Sequence, residues 1–325
     1  MEAGIEASIH AMSRIFQDEQ CEAVILIDAD NAFNRLNIRT SLNNIERLCP
    51  PLFRFLNNTY KEPARLHLGD GTFIMSEEGA TQGDPLAMAM YAVSTRSIID
   101  SLKENTQGTA QVWFADDSAA GGRMVPLHEW WVHLNEIGPR YGYHPKSEKT
   151  WVIVKRPELI DRARELFGND VKVTVEGKRH IGAALGTEEF KKAFISEKVE
   201  KWVEDVHQLA QIAKEEPQAA LSAFNTGLAQ RWTFVQRTVS GIAALFQPLE
   251  DKIREELIPA LCGRHVSELE RRMLALPYRY GGLGIRNPFQ VADGEYEASL
   301  KITEPLADLI VQQDNDLSKL DRERV

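Results

Sequence analysis

The chain has 325 residues, of which 43% are hydrophobic, so it can bury one large core or two of ordinary size. It contains no apolar run of the ~18 residues that a membrane-spanning helix needs, and its acidic N-terminus is unlike a secretory signal. The net charge of −10 argues against a nucleic-acid partner, because phosphate binding normally needs a basic surface. Residues 145–180 and 226–290 each hold nine Lys and Arg against six Asp and Glu, so this partner is not excluded.

The cysteines give an indication of the cellular setting. Cys21, Cys49 and Cys262 are odd in number and far apart, which fits neither a disulfide framework nor a metal-binding spacing. We therefore expect a reducing, intracellular setting, in the cytoplasm or the nucleus, and no membrane partner.

Hydrophobic periodicity predicts a mixed α/β half followed by a helical half. The run 23–27 is apolar throughout, which predicts a strand buried on both faces that stops at Asp28. From residue 188, apolar side chains recur at helical spacing up to a loose charged tail over 312–325. In chain order the remaining predictions are a helix over 2–16, a helix ending before Pro50, a hairpin with strands 65–68 and 72–76, a helix over 86–102, strands over 110–115 and 118–120, a helix over 126–141, and strands over 151–154, 171–175 and 180–185.

Acidic residues occur where two of these strands end. Asp28 follows a buried strand, and Asp116 and Asp117 lie at the turn of a predicted hairpin. If the two strands are neighbours, the acids form a compact cluster that a divalent cation would neutralise, and Mg²⁺ prefers one or two carboxylates plus substrate phosphates. Taken alone, each acid is better explained as a turn or cap residue.

A polar loop punctuated by glycines, residues 78–85, leads into the helix over 86–102. Glycine lets backbone approach a flat or charged ligand closely, and the N–H groups of a helix N-terminus suit phosphate or ribose. A simple N-cap turn with Asp84 before Pro85 explains the same residues.

The order of these segments carries more information than any one of them. The runs Asp28–Phe33 (DADNAF), Gln82–Leu86 (QGDPL) and Phe114–Asp117 (FADD) resemble motifs A, B and C of reverse transcriptases. The form of these motifs is most similar to the branch of non-LTR retrotransposons and group II introns. Three later segments continue the resemblance, namely 141–150 (motif D), 181–186 (motif E) and 276–285, which is similar to a stretch downstream of retrotransposon polymerase domains.

The resemblance implies a catalytic role for several residues. Asp28 and Asp116 would bind two Mg²⁺ ions (Mn²⁺ is an alternative), and the backbone carbonyl of Ala29 would complete the ligands of one. Asp117 would be a supporting acid. Lys149 matches the motif D lysine that protonates pyrophosphate, although an exposed surface lysine explains it equally well.

Three further residues would contact the nucleotide or the template. Phe33 matches the steric gate that rejects a ribose 2′-hydroxyl. Gln82 and Gly83 would position the template base and the incoming nucleotide. The implied partners are an RNA or DNA template with its primer, and a dNTP.

The implied fold is α+β: a polymerase palm, a small antiparallel sheet backed by helices, followed by an all-helical, thumb-like region. The expected divisions are a remnant of the last fingers helix over 1–22, the palm over 23–187, the helical region over 188–311 and the tail. Because the family's fingers lie mostly before motif A and residues 1–27 precede Asp28, we expect the chain to fold but to polymerise poorly or not at all by itself.

The implied function is RNA-directed DNA polymerisation in a retroelement-derived protein. One alternative is a decayed or co-opted polymerase that binds nucleic acid or protein without copying; the acidic charge favours it. A second is an unrelated Mg²⁺-dependent hydrolase or phosphotransferase. It would explain Asp28 and Asp116 but neither Phe33 nor the Gln82 loop.

Overall fold

The computed structural model describes residues 4–81 and 83–320 of the chain. It is a mixed α+β protein in which helices predominate, with a small central sheet, as the sequence predicts. The chain divides into two compact units. We name them the sheet unit, residues 11–175 and 309–315, and the helical unit, residues 1–10, 176–308 and 316–325.

The elements up to residue 175 alternate between helices and short strands. Pro50 and Pro51 begin a helix rather than only ending the preceding one, because proline is tolerated in the first turn. In chain order the elements are α1 (Gly4–Gln17), β1 (Ala23–Ile27), α2 (Ala32–Arg35), α3 (Ile38–Leu48), α4 (Pro50–Tyr60), β2 (Ala64–His67), β3 (Phe73–Ser76), α5 (Ala87–Asn105), β4 (Thr109–Phe114), β5 (Asp117–Gly122), α6 (Met124–Ile137), β6 (Trp151–Val154), α7 (Ile160–Phe167) and β7 (Lys172–Thr174).

A five-stranded sheet with the order β4-β5-β1-β6-β7 forms the centre of the sheet unit. Strand β1 is buried along its whole length, which confirms the prediction made from its apolar run. It pairs antiparallel with β5, where Ile27 lies opposite Ser118, and antiparallel with β6, where Leu26 lies opposite Trp151. The sheet therefore places the end of β1 beside the beginning of β5.

The sheet is not purely antiparallel, and the prediction is wrong at its edge. Strands β6 and β7 pair in parallel, with Val152 opposite Val173. Helix α7 lies between them in the chain and provides the crossover that two parallel strands require. The apolar residues of β6 alone do not reveal the direction of the partner strand.

The core of the sheet unit lies between the sheet and helices α3, α5 and α6. Trp130 and Trp131 on α6 are buried there. The β2–β3 hairpin is separate from this sheet and is exposed along nearly its whole length.

The first strands after residue 175 form a third hairpin, which corrects a prediction. Residues 180–185 were expected to form one strand, but they form the end of β8, a turn and the beginning of β9. Ile181 and Gly182 both adopt positive φ (46° and 86°), which reverses the chain direction. The elements after residue 175 are β8 (Gly177–His180), β9 (Ala183–Gly186), α8 (Glu188–Ala213), α9 (Pro217–Ala223), α10 (Ala229–Thr238), α11 (Gln247–Lys252), α12 (Ile258–Cys262), α13 (Glu268–Ala275) and α14 (Pro288–Val311).

Aromatic side chains and one buried ion pair organise the helical unit. Trp202 on α8 lies edge-on to Trp232 on α10, with ring centroids 6.0 Å apart. Arg271 and Glu250 are each only 5% exposed and form a two-bonded ion pair, while Arg271 also donates to the Ile285 carbonyl over 2.7 Å. The hydrogen bond to Ile285 attaches the end of the segment 276–285 to this ion pair.

The net positive charge of residues 226–290 is largely neutralised by neighbouring acids. Seven of the nine basic residues in this stretch lie within 4.0 Å of a carboxylate. The pairs are Arg231–Asp205, Arg237–Glu6, Lys252–Glu256, Arg254–Glu268, Arg264–Glu270, Arg271–Glu250 and Arg286–Glu295. The charge excess seen in the sequence is therefore not an unpaired basic surface.

Gln313, within the expected tail, belongs to the sheet unit. Its side-chain amide accepts from the backbone N–H of Gln111 over 3.1 Å and donates to the backbone carbonyl of Gln111 over 3.0 Å. Gln313 thus occupies the free edge of β4 as a neighbouring strand would. Among the described helices, none has the length and apolar character needed to cross a membrane.

Candidate active site

The β4–β5 hairpin carries the paired acids at its tip. Phe114 pairs with Asp117, so Ala115 and Asp116 form a two-residue turn. Ala115 adopts a left-handed conformation with φ 54°, which is uncommon for a residue with a Cβ and costs about 1–2 kcal/mol. Such strained positions concentrate at functional sites, and here the strain belongs to the turn that presents Asp116.

Strand register brings Asp28 to the same end of the sheet as Asp116 and Asp117. Ile27 and Ser118 are the last pair of the β1–β5 ladder, and Asp28 and Asp117 are the residues that continue it. Burial raises the pKa of the Tyr143 hydroxyl, which lies beneath them. The hydrogen bond with Ser118 opposes this rise, and the charges of Asp117, Asp116 and Asp28 add to it. The three acids are therefore close enough to act on one phenol.

Hydrogen bonds made by the residues on either side of Ala29 direct its backbone carbonyl toward these acids. The Asp28 carbonyl accepts from the Lys146 N–H over 3.1 Å, and the Asp30 N–H donates to the His144 carbonyl over 2.8 Å. Both groups face the segment that leads into β6. Because backbone groups alternate along an extended chain, the Ala29 carbonyl is directed to the other side, where β5 begins.

The donors at this end of the sheet fit a magnesium ion. Two carboxylates and a backbone carbonyl are all oxygen ligands, and Mg²⁺ usually takes one or two carboxylates and completes its shell with water and phosphate. Among the described residues, no group of three or more His, Cys, Asp or Glu side chains is arranged to hold a metal ion.

Lysine and arginine side chains surround the acids. The Lys149 ammonium lies 3.5 Å from Asp28 Oδ2, and both side chains are about half exposed. The Lys146 ammonium lies 2.6 Å from Asp30, and Arg35 also pairs with Asp30. The hydrogen bond from Lys146, and to a smaller extent the one from Arg35, holds the pKa of Asp30 below its usual range. Asp30 is thus neutralised by two cations, and Asp28 has one cation at a longer distance.

Phe33 lies beside this cluster and is only partly buried. Its ring stacks on that of Tyr91 from α5, with centroids 4.4 Å apart and an interplanar angle of 23°. Tyr91 is 2% exposed, and its hydroxyl has no hydrogen-bond partner among the described residues. Burial raises the pKa of this hydroxyl, and the charges of Tyr143, Asp116 and Asp117 add to the effect. An orphaned buried hydroxyl therefore lies close to the candidate metal ligands.

The glycine-punctuated loop is attached to the segment that carries Phe33. The Ala80 N–H donates to the Phe33 carbonyl over 2.8 Å, and the Gly79 N–H donates to the Leu36 carbonyl over 2.9 Å. Gly79 has φ 86°, and a Cβ there would lie 2.4 Å from the Asn34 carbonyl oxygen, so only glycine permits this approach.

The next residues of the loop include two predicted site residues. Gly83 is exposed, with φ 92° and open space around it, while Gln82 lies outside the described residues. Asp84 accepts from the Leu86 N–H over 2.8 Å and from the Tyr60 hydroxyl. Helix α5 has Leu86 as its N-cap, so the predicted N-cap role of Asp84 is wrong; its carboxylate instead closes a local turn just ahead of the helix.

The segment resembling motif D also packs on the one resembling motif A. A Cβ on Gly142 would lie 1.9 Å from the Arg35 carbonyl oxygen, and the Asn37 N–H donates to the Tyr141 carbonyl over 3.1 Å. Backbone contacts thus join three distant segments around Asp28. Sequence reasoning missed Tyr91 and included Tyr143 only as part of the segment that resembles motif D, because neither has a recognisable spacing to the acids.

Comparison with known proteins gives similarity to solved structures only. The sequence matches no protein-family model and no curated protein. Apo telomerase from Candida tropicalis is similar with a TM-score of 0.46 and 11% identity, over 93% of this chain and 53% of that chain. Telomerase from Candida albicans with the TWJ fragment of telomeric RNA has a TM-score of 0.46 and 11% identity, over 95% and 51%.

A third structure, telomerase from Candida tropicalis with the same kind of RNA fragment, has a TM-score of 0.41 and 11% identity, over 94% of this chain and 51% of that chain. This chain therefore spans about half the length of the telomerase chains that it matches. Identities and TM-scores this low assign neither a family nor an activity to the chain.

Proposed function

We propose that this protein is a nucleotidyltransferase of the reverse transcriptase type, which extends a primer on an RNA template with dNTPs. The observation that carries the proposal is the register of β1 and β5, which brings Asp28 and Asp116 to one end of the sheet. The order of the three motif-like segments along the chain supports it, and backbone hydrogen bonds join residues 33–37, which follow Asp28, to the loop at Gly79 and Ala80 and to Tyr141.

The proposed chemistry is in-line displacement at phosphorus. The primer 3′-hydroxyl gives its proton to solvent water as its oxygen attacks the α-phosphorus of the dNTP; a new P–O bond forms, and the bond between the α-phosphorus and the bridging oxygen breaks to release pyrophosphate. Magnesium ions held by Asp28, Asp116 and the Ala29 carbonyl would supply charge neutralisation for the attacking and leaving oxygens. Most of the acceleration in such a reaction comes from positioning and electrostatics, which rigid strand ends provide.

The remaining residues of the site have roles in binding. Lys149 and Lys146 are cations suited to the triphosphate, and Lys149 is the one that can give a proton to the leaving pyrophosphate. Phe33, braced against Tyr91, would limit the space beside the sugar. Gln82 and Gly83 would contact the template base and the nucleotide, as the resemblance implies.

The test is primer extension on poly(rA) by the full chain, combined with Mn²⁺ binding measured by electron paramagnetic resonance. We expect weak, template-dependent dTMP incorporation in the wild type, and its loss together with a large loss of Mn²⁺ affinity in Asp28→Asn and Asp116→Asn. Asp161→Asn removes an equal charge from a carboxylate that is 98% exposed and should change neither property.

Two results would count against the proposal. If Asp116→Asn bound Mn²⁺ as tightly as the wild type does, Asp116 would not be a metal ligand and the proposed metal site would be wrong. The second result is metal binding that depends on Asp116 while nucleotide incorporation stays at the Asp116→Asn background. That result would indicate a binding protein of polymerase ancestry rather than a polymerase.

A further inference from the structure

A surface loop of the helical unit, residues 276–285, presents two tyrosines to solvent, and we name it the tyrosine loop. Tyr278 is 63% exposed and Tyr280 is 64% exposed. Both lie in a short 3₁₀ turn that follows helix α13, with Arg279 between them. Single exposed apolar residues are common, but neighbouring exposed aromatic side chains form a patch, and such patches mark contact surfaces.

The backbone of the tyrosine loop is fixed against the end of α13. The Leu274 carbonyl accepts from the Leu283 N–H over 3.1 Å, and the Leu276 carbonyl accepts from the Gly284 N–H over 2.9 Å. A Cβ on Gly282 would lie 2.0 Å from the Leu276 carbonyl oxygen, so glycine is needed there. Because these bonds already order the backbone, binding at the exposed tyrosines would cost little backbone freedom.

Two contacts orient the aromatic side chains of the loop. Asn225 Nδ2 donates to the Tyr278 hydroxyl and to the Leu283 carbonyl, each over 2.8 Å. The guanidinium carbon of Arg279 lies 4.9 Å from the centre of the Tyr280 ring, which is a cation–π contact. The loop therefore offers a tyrosine held by its hydroxyl and, next to it, an arginine stacked with a tyrosine that is still mostly exposed.

Charge at the tyrosine loop favours a polyanion. Of the nine basic residues in 226–290, the two without a carboxylate within 4.0 Å in the described part of the chain are Arg272, in the last turn of α13, and Arg279. Both side chains are exposed. The acids of α13, Glu268 and Glu270, are each paired with another arginine. Uncompensated positive charge thus occurs in this stretch beside the exposed aromatic rings.

We propose that the tyrosine loop binds single-stranded nucleic acid, with a base stacked on Tyr280 and phosphate groups paired with Arg272 and Arg279. Proteins that hold single strands combine aromatic rings, on which unpaired bases stack, with cations that pair with the phosphates. Bases in a duplex stack on each other and present no free face to the loop. Stacking and phosphate contacts do not involve the ribose 2′-hydroxyl, so both RNA and DNA strands are expected to bind.

This proposal concerns the helical unit and does not rest on the polymerase proposal. The probe is a fluorescein-labelled oligouridylate of about twelve nucleotides, a length within the range that such sites cover. Its binding to the full chain is measured by fluorescence anisotropy in EDTA, without primer or dNTP, so neither metal ions nor polymerisation affect the result. We expect the strand to bind about fivefold more weakly, or worse, once oligoadenylate is annealed to it.

Variants of the chain locate the binding. Tyr280→Leu should weaken it about fivefold or more, the effect of losing one stacked base, whereas Tyr280→Phe keeps the ring and should bind as the wild type does. Arg272→Gln and Arg279→Gln should each weaken binding and reduce the slope of log affinity against log salt by about 0.7, the value for one phosphate contact. Arg231→Gln is the matched control, because Arg231 is equally exposed but is paired with Asp205, and it should change little.

Crosslinking identifies the residue on which the base lies. A strand that contains 5-iodouridine reacts, on irradiation, with an aromatic ring stacked on that base. We expect the crosslink at Tyr280, within the tryptic peptide 280–286, and its loss in Tyr280→Leu. A crosslink found only outside residues 273–286 would place the strand elsewhere and overturn the proposal.

Three further results would overturn it. Tyr280→Leu could bind as tightly as the wild type, or Tyr280→Phe could lose as much affinity as Tyr280→Leu, which would make the hydroxyl and not the ring the contact. The third is no binding of the strand by the wild type, which would assign the exposed side chains to a protein partner. None of these results bears on Asp28 and Asp116, which Mn²⁺ binding and primer extension test separately.

Discussion

The phenolic hydroxyl of Tyr143 donates a hydrogen bond to the backbone carbonyl of Asp116 over 3.1 Å. The same hydroxyl lies 2.8 Å from the Ser118 hydroxyl, on the other side of Asp117 in the chain. Burial raises the pKa of Tyr143, so the hydroxyl remains protonated and continues to donate at neutral pH. Tyr143 therefore supports, from beneath, the turn that carries the paired acids.

Removing that hydroxyl should loosen the turn. We expect Tyr143→Phe to lower the free energy of unfolding by about 1–3 kcal/mol, because a buried carbonyl and a buried serine lose their partner. It should also weaken Mn²⁺ binding if Asp116 is a ligand. Urea denaturation and Mn²⁺ titration measure the two effects.

Tyr141→Phe is the matched control for this change, since the Tyr141 hydroxyl has no hydrogen-bond partner in the described chain. It should leave both properties nearly unchanged. Equal effects of the two substitutions would show that the Asp116 contact has no particular importance.

Lys149 should compete with a metal ion for Asp28. Its ammonium lies 3.5 Å from Asp28 Oδ2, where it partly neutralises the carboxylate. Exposed ion pairs contribute about 0.2–1 kcal/mol, so Lys149→Met should raise Mn²⁺ affinity by up to about fivefold. Lys146→Met should have a smaller effect, because Lys146 pairs with Asp30. A lower Mn²⁺ affinity in Lys149→Met would show that this lysine does not oppose the metal.

Phe33 should discriminate between sugars as well as contribute to packing. Phe33→Ala should increase the ratio of ribonucleotide to deoxyribonucleotide incorporation, and loss of the stacking on Tyr91 should destabilise the chain by about 1–3 kcal/mol. Single-nucleotide extension with dTTP or UTP measures the ratio. Phe73→Ala, at an exposed position of β3, is the control. Destabilisation with unchanged selectivity would make Phe33 a packing residue only.

The orphaned hydroxyl of Tyr91 should be dispensable for stability. Tyr91→Phe removes a buried group without a described partner and keeps the ring stacked on Phe33, so we expect unfolding free energy to be unchanged or higher by up to about 1 kcal/mol. Thermal unfolding in the absence of metal and nucleotide measures this. A loss of more than about 1 kcal/mol would show that the hydroxyl has a partner in the folded chain.

His180 should make the helical unit sensitive to acid. Burial lowers the pKa of His180 from 6.5 to about 4, and its Nε2 has no partner in the described chain. As the pH falls from 6.5 towards 4, the unfolded chain takes up a proton that the folded chain does not. The free energy of unfolding should therefore fall across this window, by about 3 kcal/mol in total.

The control for this pH dependence is a histidine in contact with water. His180→Leu should remove most of the decrease between pH 6.5 and 4, and His265→Leu, at an exposed position, should retain it. Urea denaturation at several pH values gives the slopes. The same slope in the wild type and in His180→Leu would assign the acid sensitivity to other groups.

The amino-acid sequence was sufficient for those elements whose residues carry a local pattern. The five apolar residues of β1 predict its burial on both faces, and short runs on either side of a polar turn predict the β2–β3 and β4–β5 hairpins. Asp28, Asp116 and the Gly79 loop could be selected because strand ends and glycine turns are local features, and the order of motifs linked them.

Tertiary structure decided everything that depends on contacts between distant segments. The parallel β6–β7 pair, the hydroxyl of Tyr143 beneath Asp116 and the hydrogen bond from Asn225 to Tyr278 have no local pattern, because each results from packing across many residues. The pairing of the charged residues in 226–290 likewise could not be predicted from the sequence. Composition counts these cations, but only the folded chain places a carboxylate beside most of them, since ion pairing depends on distance in space rather than along the sequence.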